Sequence, residues 1–488
     1  MKKSVLFLSA VLAFAANVHA QDSGESFEEF RKNIHSEFQQ FRKSVLDDYA
    51  KYLEGVWEEY AAFKGEKRKT EPKPKVAPVA EPEPNMTPME MPPVKEPAKI
   101  PMANPKINPL SPIKPVPYVA PVKPVAEYCH FTFGGQDLKA PKMKAVRLNS
   151  MENSDIASAW REMDSNKTSD IAAQLKQLAM ACGLCDWFTM MMVKSYVDAM
   201  MPSFSPSDKM LTMQYIMAHL GFDARLGKAD NQLVMLMPTK QHVYERTYTK
   251  LDDVPFYVFF DDMKKMNIDN GWITTCNLPN DVDKGRLANM IISTSWNMPS
   301  TETKEYALSA GGITIKGQID ASIMPLLDNY AVVDVPICAA SNVISPFRQN
   351  ILDQIKPQIK GMKELEAVNA LLSFTQYAFK YATDDDQFGR EKYFFFEENF
   401  FYPKNDCEDR SIFFSFLVHN LLGLDVHLIG YPGHECTAVH FTDIEPGGTY
   451  YTYKGQKYYI CDPTYIGACA GMCMPRYKED APEIELWY

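Results

Sequence analysis

The sequence predicts an α+β protein in which two folded domains follow a long N-terminal extension. Three observations carry this. Apolar residues fill 46% and aromatic residues 12% of 488 positions, enough for a sizeable buried core. Half of the prolines, 17 of 34, crowd into residues 71–126 and mark a linker. Beyond that linker two stretches share one pattern, an apolar helix ending at glycine and then a β-type run; Asp208 to Gly221 and Arg410 to Gly423 are equally spaced, 13 residues each.

Residues 1–20 read as an address. Lys2 and Lys3 precede an apolar run from Val5 to Ala16, and Val18-His19-Ala20 supplies small residues before a break at Gln21. This is the order of a secretory signal peptide, too short for a permanent anchor. The expected location is therefore secreted or periplasmic, where disulfides are permitted. No later stretch reaches 18 uninterrupted apolar residues, so no integral membrane segment is expected. A net charge of −11 without a basic block argues against nucleic acid or an anionic membrane surface as the main partner.

Residues 21–66 predict an amphipathic helix. Apolar positions from Phe27 to Phe63 recur with a mean spacing of 3.6, and Ser26 is placed to cap the start, with Glu28 and Glu29 in the first turn. Such a helix docks on its own globular body or binds a partner or a second copy. Residues 67–126 follow as a Pro-rich linker in which neither helix nor sheet persists; fully extended, its proline-dense part, 71–126, reaches about 170 Å, at roughly 3.1 Å per residue. The body from residue 127 onward holds two domains, 127–335 and 336–488, with the boundary near Pro336 and Pro346.

The chemistry concentrates near the C-terminus. Cys407 lies in Asn405-Asp406-Cys407-Glu408-Asp409-Arg410, directly before the apolar helix from Ile412 to Leu422. Asp406 is the N-cap candidate, which puts Cys407 in the first turn, where free N–H groups and the helix dipole favour thiolate. Glu408 and Asp409 oppose that, so strong activation requires an imidazole. His434 follows Tyr431-Pro432-Gly433 and enters a strand straight out of a turn; His440, six residues on, lies too far along the same strand to share one thiol and is expected to be satisfied within the sheet. Asp462 closes the run Lys457 to Cys461 and precedes Pro463, which holds its backbone extended. An aspartate beside a histidine fixes the tautomer and stabilises the imidazolium.

Asp-Cys-Glu-Asp-Arg-Ser before an apolar helix, Gly-Tyr-Pro-Gly-His opening a strand and Cys-Asp-Pro-Thr-Tyr closing the next resemble the transglutaminase-like superfamily of cysteine peptidases and acyltransferases, over roughly residues 345–480. The resemblance implies an α+β papain-like core and a catalytic triad of Cys407, His434 and Asp462 that attacks a carboxamide through a thioester. One departure is the strand after the histidine, Glu435-Cys436-Thr437-Ala438-Val439, which lacks the family's tryptophan. The resemblance extends to residues 127–335 as a degenerate copy. Aligned without gaps on Asp208, Ser205 takes the place of Cys407 and Gln232 that of His434, leaving neither thiolate nor base.

The leading expectation is thus a secreted enzyme acting on amide bonds of a protein or peptide, with hydrolysis favoured over crosslinking. The rival is a non-catalytic periplasmic or surface module that keeps the fold for protein interaction. No cofactor and no metal are expected. Cys182-Gly183-Leu184-Cys185 has metal-ligand spacing but buried-helix surroundings, and Cys469 and Cys473 either pair or remain core thiols. The Tyr393–Tyr402 aromatics are mostly core. Asp384-Asp385-Asp386 reads as a solvated loop, and Gln387 is a candidate second oxyanion donor.

Overall fold

The first described element is a hairpin, β1 (Tyr128–Phe133) and β2 (Gln136–Pro141). The computed structural model describes residues 127–269, 271–276, 285–478, 480 and 482–485. The expected signal peptide, amphipathic helix and linker lie outside these residues. What is described is α+β and belongs to one compact unit.

Four helices follow the hairpin: α1 (Asn153–Ser165), α2 (Thr168–Ala181), α3 (Asp186–Met200) and α4 (Pro206–His219). Helix α4 starts cleanly because Ser205 accepts from the Asp208 N–H while Asp208 accepts from the Ser205 N–H. Its apolar positions run all round, and nearly every side chain from Met210 to Met217 is buried. The chain then turns at Gly221, φ +96°, and enters β3 (Arg225–Ala229), β4 (Gln232–Pro238), β5 (Tyr248–Leu251), β6 (Val254–Phe259) and β7 (Ile273–Thr275).

A second hairpin, β8 (Thr303–Ala310) with β9 (Ile313–Asp320), leads to α5 (Met324–Asp328), α6 (Val335–Ala340), α7 (Ser345–Ile355), α8 (Glu364–Ala378), the short β10 (Lys380–Tyr381) and α9 (Asp384–Phe388). After β11 (Lys404–Asn405) comes α10 (Cys407–Leu422), ended by Gly423 at φ +69°. The last sheet is built from β12 (Asp425–Tyr431), β13 (His434–His440), β14 (Tyr450–Tyr453), β15 (Gln456–Cys461) and β16 (Glu483–Glu485).

The two five-stranded sheets are built alike. Their spatial orders are β5-β6-β4-β3-β7 and β14-β15-β13-β12-β16, antiparallel throughout, and each is preceded by one buried helix that ends just before a positive-φ glycine or at one. The registers also correspond: the fourth residue of β4, Met235, faces Phe259, and the fourth of β13, Thr437, faces Cys461.

The polar scaffold beneath the second sheet is buried. Arg348 reaches Glu397 through two hydrogen bonds of 2.7 and 2.9 Å with both side chains out of water, and Lys392 meets Glu398 at 2.7 Å. Phe394, Phe395, Phe396 and Phe400 pack into the core around them, as expected for most of that aromatic run. Among the described residues no helix is long and apolar enough to cross a membrane.

Candidate functional site

Helix α10 begins at Cys407, capped by Asp406 as the sequence predicts. Asp409 holds the entry: its Oδ2 accepts from the Asp406 N–H at 3.3 Å and its Oδ1 from the Phe394 N–H at 2.7 Å. Arg410 donates to Asn405 Oδ1 and to the Phe379 carbonyl. One turn along, Ser411 Oγ donates to the Glu435 carbonyl at 3.3 Å and ties the helix start to the start of β13.

That tie places Cys407 beside residue 435. Pairing between β13 and β15 stops at Thr437 opposite Cys461, so the two strands part before Glu435 is reached. The Glu435 backbone, one residue from His434, acts on the sulfur in the sense that favours thiolate. The thiol itself donates to Glu408 Oε2 at 2.9 Å and is 7% exposed.

His434 and Asp462 are brought together. Nε2 meets Asp462 Oδ2 at 2.9 Å, with both side chains buried. A carboxylate only accepts, so Nε2 carries the ring proton and Nδ1 remains the basic nitrogen. Asp462 is fixed in turn, since its Oδ1 accepts from the N–H groups of Thr464 and Tyr465 at 2.8 and 3.0 Å. Two further residues, unremarkable in the sequence, complete the support. Gln376 on α8 donates to the carbonyls of Asp462, Tyr465 and Ala468 and accepts from the Gly467 N–H. Tyr477 lays its ring flat on the imidazole, 5.2 Å between centroids and 2° between planes, and stacks on Tyr431 as well.

The third contact is not made. Among the described residues no hydrogen bond joins the Cys407 sulfur to the His434 ring. Alternation along β13 explains it: Glu435 shares the face that packs on α10, while His434 shares the opposite one with Tyr431, Cys436 and Tyr477. His440 Nδ1 donates to the Lys457 carbonyl at 2.9 Å, since a carbonyl oxygen only accepts, and so is occupied within the sheet.

The charge environment reverses one expectation. A first-turn cysteine should lean toward thiolate, yet burial pushes the Cys407 thiol well up, and Glu408 and Asp406 add to it. Beneath it, oxygens of Asp384, Asp406 and Asp409 lie within 4.8 Å of one another. Asp384 is therefore no solvated loop residue: it is buried and its Oδ2 accepts from the Lys392 N–H at 2.6 Å. Burial first, then carboxylate neighbours, pushes Asp406 up to about 11 and Asp409 well above the usual range; burial pushes Asp384 to about 7. The trio thus shares protons at neutral pH instead of carrying three charges. It and the group His434, Cys436 and Asp462 are the two described sets whose ligand atoms are close enough for a metal.

The weaker motifs resolve differently. Gln387 donates its amide to the Lys404 carbonyl at 3.2 Å, which takes it out of the oxyanion role. Cys182 and Cys185 are buried helix-flanking residues, Cys185 accepting from the Phe188 N–H, and Cys469 and Cys473 are free thiols. In the first sheet Gln232 opens β4 as His434 opens β13, as aligned. The helix caps, however, set Ser205 against Asp406 and Pro206 against Cys407, one residue from the gapless alignment, because Asp208 and Asp409 are both third in their helices. Phe260 follows β6 where Asp462 follows β15. Comparison with known protein families, with curated proteins and with solved structures found no match.

Proposed function

We propose that this chain is an exported cysteine hydrolase of transglutaminase-like, papain-like fold that cleaves amide bonds, with Cys407, His434 and Asp462 as its catalytic residues. One observation carries the reading: a buried His434–Asp462 pair with Nδ1 uncommitted, one residue from Glu435, whose carbonyl Ser411 ties to the helix that Cys407 begins. Turnover requires the thiol to leave Glu408 and the mouth of β13 to shift so that Nδ1 of His434 reaches the sulfur from the opposite face of the strand. His434 then takes the thiol proton, and the sulfur bonds to the amide carbon while the Cys407 N–H steadies the oxyanion. The C–N bond breaks as imidazolium protonates the departing amine. Water, deprotonated by His434, opens the thioester, and the proton returns to sulfur as the acid leaves.

In the same reading residues 127–335 are a silent copy of the fold. The shared strand order supports this, and Pro206, Gln232 and Phe260 at the three catalytic positions supply no nucleophile, base or carboxylate. The export route rests on the charged-apolar-small order of residues 1–20.

The second reading, an interaction module without turnover, is favoured by the thiol's bond to a carboxylate in place of the imidazole. Hydrolysis of peptide and cell-wall amides by wild type and Cys407→Ala separates them. The enzyme reading expects turnover that disappears in a folded Cys407→Ala protein; equal, absent turnover in both establishes the module.

A further inference from the structure

We infer that the cleft beside Cys407 accepts a cationic side chain of the substrate, a lysine-like ammonium or a guanidinium, next to the amide that is cut. The inference rests on the proposed cysteine chemistry and adds the substrate class.

The proposed seat lies on one face of the second sheet. On β12, Gly430 stands opposite Glu435 of β13 on one side and Glu483 of β16 on the other, and Leu428 stands opposite Glu485. Directly opposed residues of antiparallel strands share a face, so all three glutamates project to one side. Gly430 lets two of these carboxylates draw together over it: a Cβ there would lie 3.3 Å from Glu435 Oε2, tighter than ordinary contact, and 3.8 Å from Glu485 Oε1. Glu408, which holds the thiol, acts on Glu435 and Glu485 alike. Asp334, bonded by the Tyr244 hydroxyl, also acts on Glu485, and Tyr393 lies in the field of Glu391, Glu408 and Glu485.

A second observation points to a ligand. Glu435 is 5% exposed, and its Oε1 is buried without any hydrogen-bond partner. Burial, then the neighbouring carboxylates, pushes Glu435 well above the usual carboxylate range, and a buried oxygen left without a partner costs free energy unless something occupies it. Each described influence on Glu435 and Glu485 other than burial is another carboxylate; none is a cation. Glu483, Glu485, Glu408 and Asp334 retain exposed surface, so the opening is reachable from solvent. An ammonium seated there would satisfy Glu435 and offset the charge of Glu408, which adds to burial in keeping the sulfur protonated.

The test uses charge-matched thiol reagents on the full chain. Aminoethyl and sulfonatoethyl methanethiosulfonate modify Cys407, located by peptide mapping, and their rate ratio is compared with that on free cysteine. The expected ratio favours the cation by roughly tenfold or more over free cysteine, and falls severalfold in Glu485→Gln and in Glu483→Gln/Glu485→Gln. A ratio equal to that of free cysteine overturns the inference, as does a ratio collapsed by millimolar calcium but not by lysinamide, which would assign the cleft to an inorganic ion. The substrate arm compares acetyl-lysine, acetyl-norleucine and acetyl-glutamate p-nitroanilides. Lysine preferred in kcat/KM supports the inference; turnover without that order overturns it and leaves the hydrolase standing. No turnover of any amide substrate, with the reagent ratio still high, removes the hydrolase and with it the substrate role.

Discussion

His434 Nε2 lies 2.9 Å from Asp462 Oδ2, and neither side chain is open to water. The pair is useful only if the carboxylate stays charged when the imidazole gains a proton. Asp462→Asn keeps Oδ1 for the Thr464 and Tyr465 amides but removes that charge. Turnover is expected to fall by about 10³–10⁴-fold in kcat with little change in melting temperature, measured by steady-state kinetics beside circular dichroism.

Gln376 organises the loop that carries Asp462. Its removal in Gln376→Ala takes the donor from two buried carbonyls, those of Asp462 and Ala468, and the acceptor from the Gly467 N–H, while the Tyr465 carbonyl keeps the Ala468 N–H. A loss of about 2–4 kcal/mol is expected from urea unfolding, and a full-strength Gln376→Ala protein would contradict the role assigned to that side chain.

Arg348 and Glu397 form a bidentate pair in the core. Arg348→Ala leaves a buried carboxylate alone and should destabilise by about 3–5 kcal/mol. The double change Arg348→Met/Glu397→Leu should be milder than either single truncation, a cycle that denaturant melts resolve.

Glu408 holds the thiol proton and adds negative charge beside the sulfur. Glu408→Gln removes the charge, which lowers the thiol's pKa and raises the thiolate fraction at neutral pH. Iodoacetamide should therefore label Cys407 severalfold faster in Glu408→Gln than in wild type; slower labelling would refute the electrostatic account.

Asp384 binds its proton more tightly in the folded chain, where burial pushes it up to about 7, than in the unfolded one. A native state that holds more protons loses stability as pH rises between the unfolded and folded values. Melting temperature should thus climb as pH falls from about 8 toward about 5, and Asp384→Asn should flatten that slope in differential scanning fluorimetry.

Much of this was legible from local pattern. The gapless spacing of helix, glycine and strand announced two similar modules because a 3.6-residue period followed by an αL glycine is a property of a few neighbouring positions. Asp406 as cap, His434 at a strand mouth and Asp462 at a strand end were readable for the same reason. Gln376, Tyr477 and Glu435 were not: each matters through residues dozens of positions away, and nothing in their own neighbourhoods marks them.

How deeply Cys407 is withdrawn from water belongs to the tertiary structure alone. Chain-local reasoning sees a helix N-terminus, which favours thiolate, opposed by neighbouring acids; folding adds the larger effect, burial, which removes the water that would solvate a thiolate and screen Glu408 and Asp406. Local sequence determined which residues carry reactive atoms and on which elements they sit. Packing decided which of those atoms meet, because contact and desolvation depend on elements that adjoin in space and not along the chain.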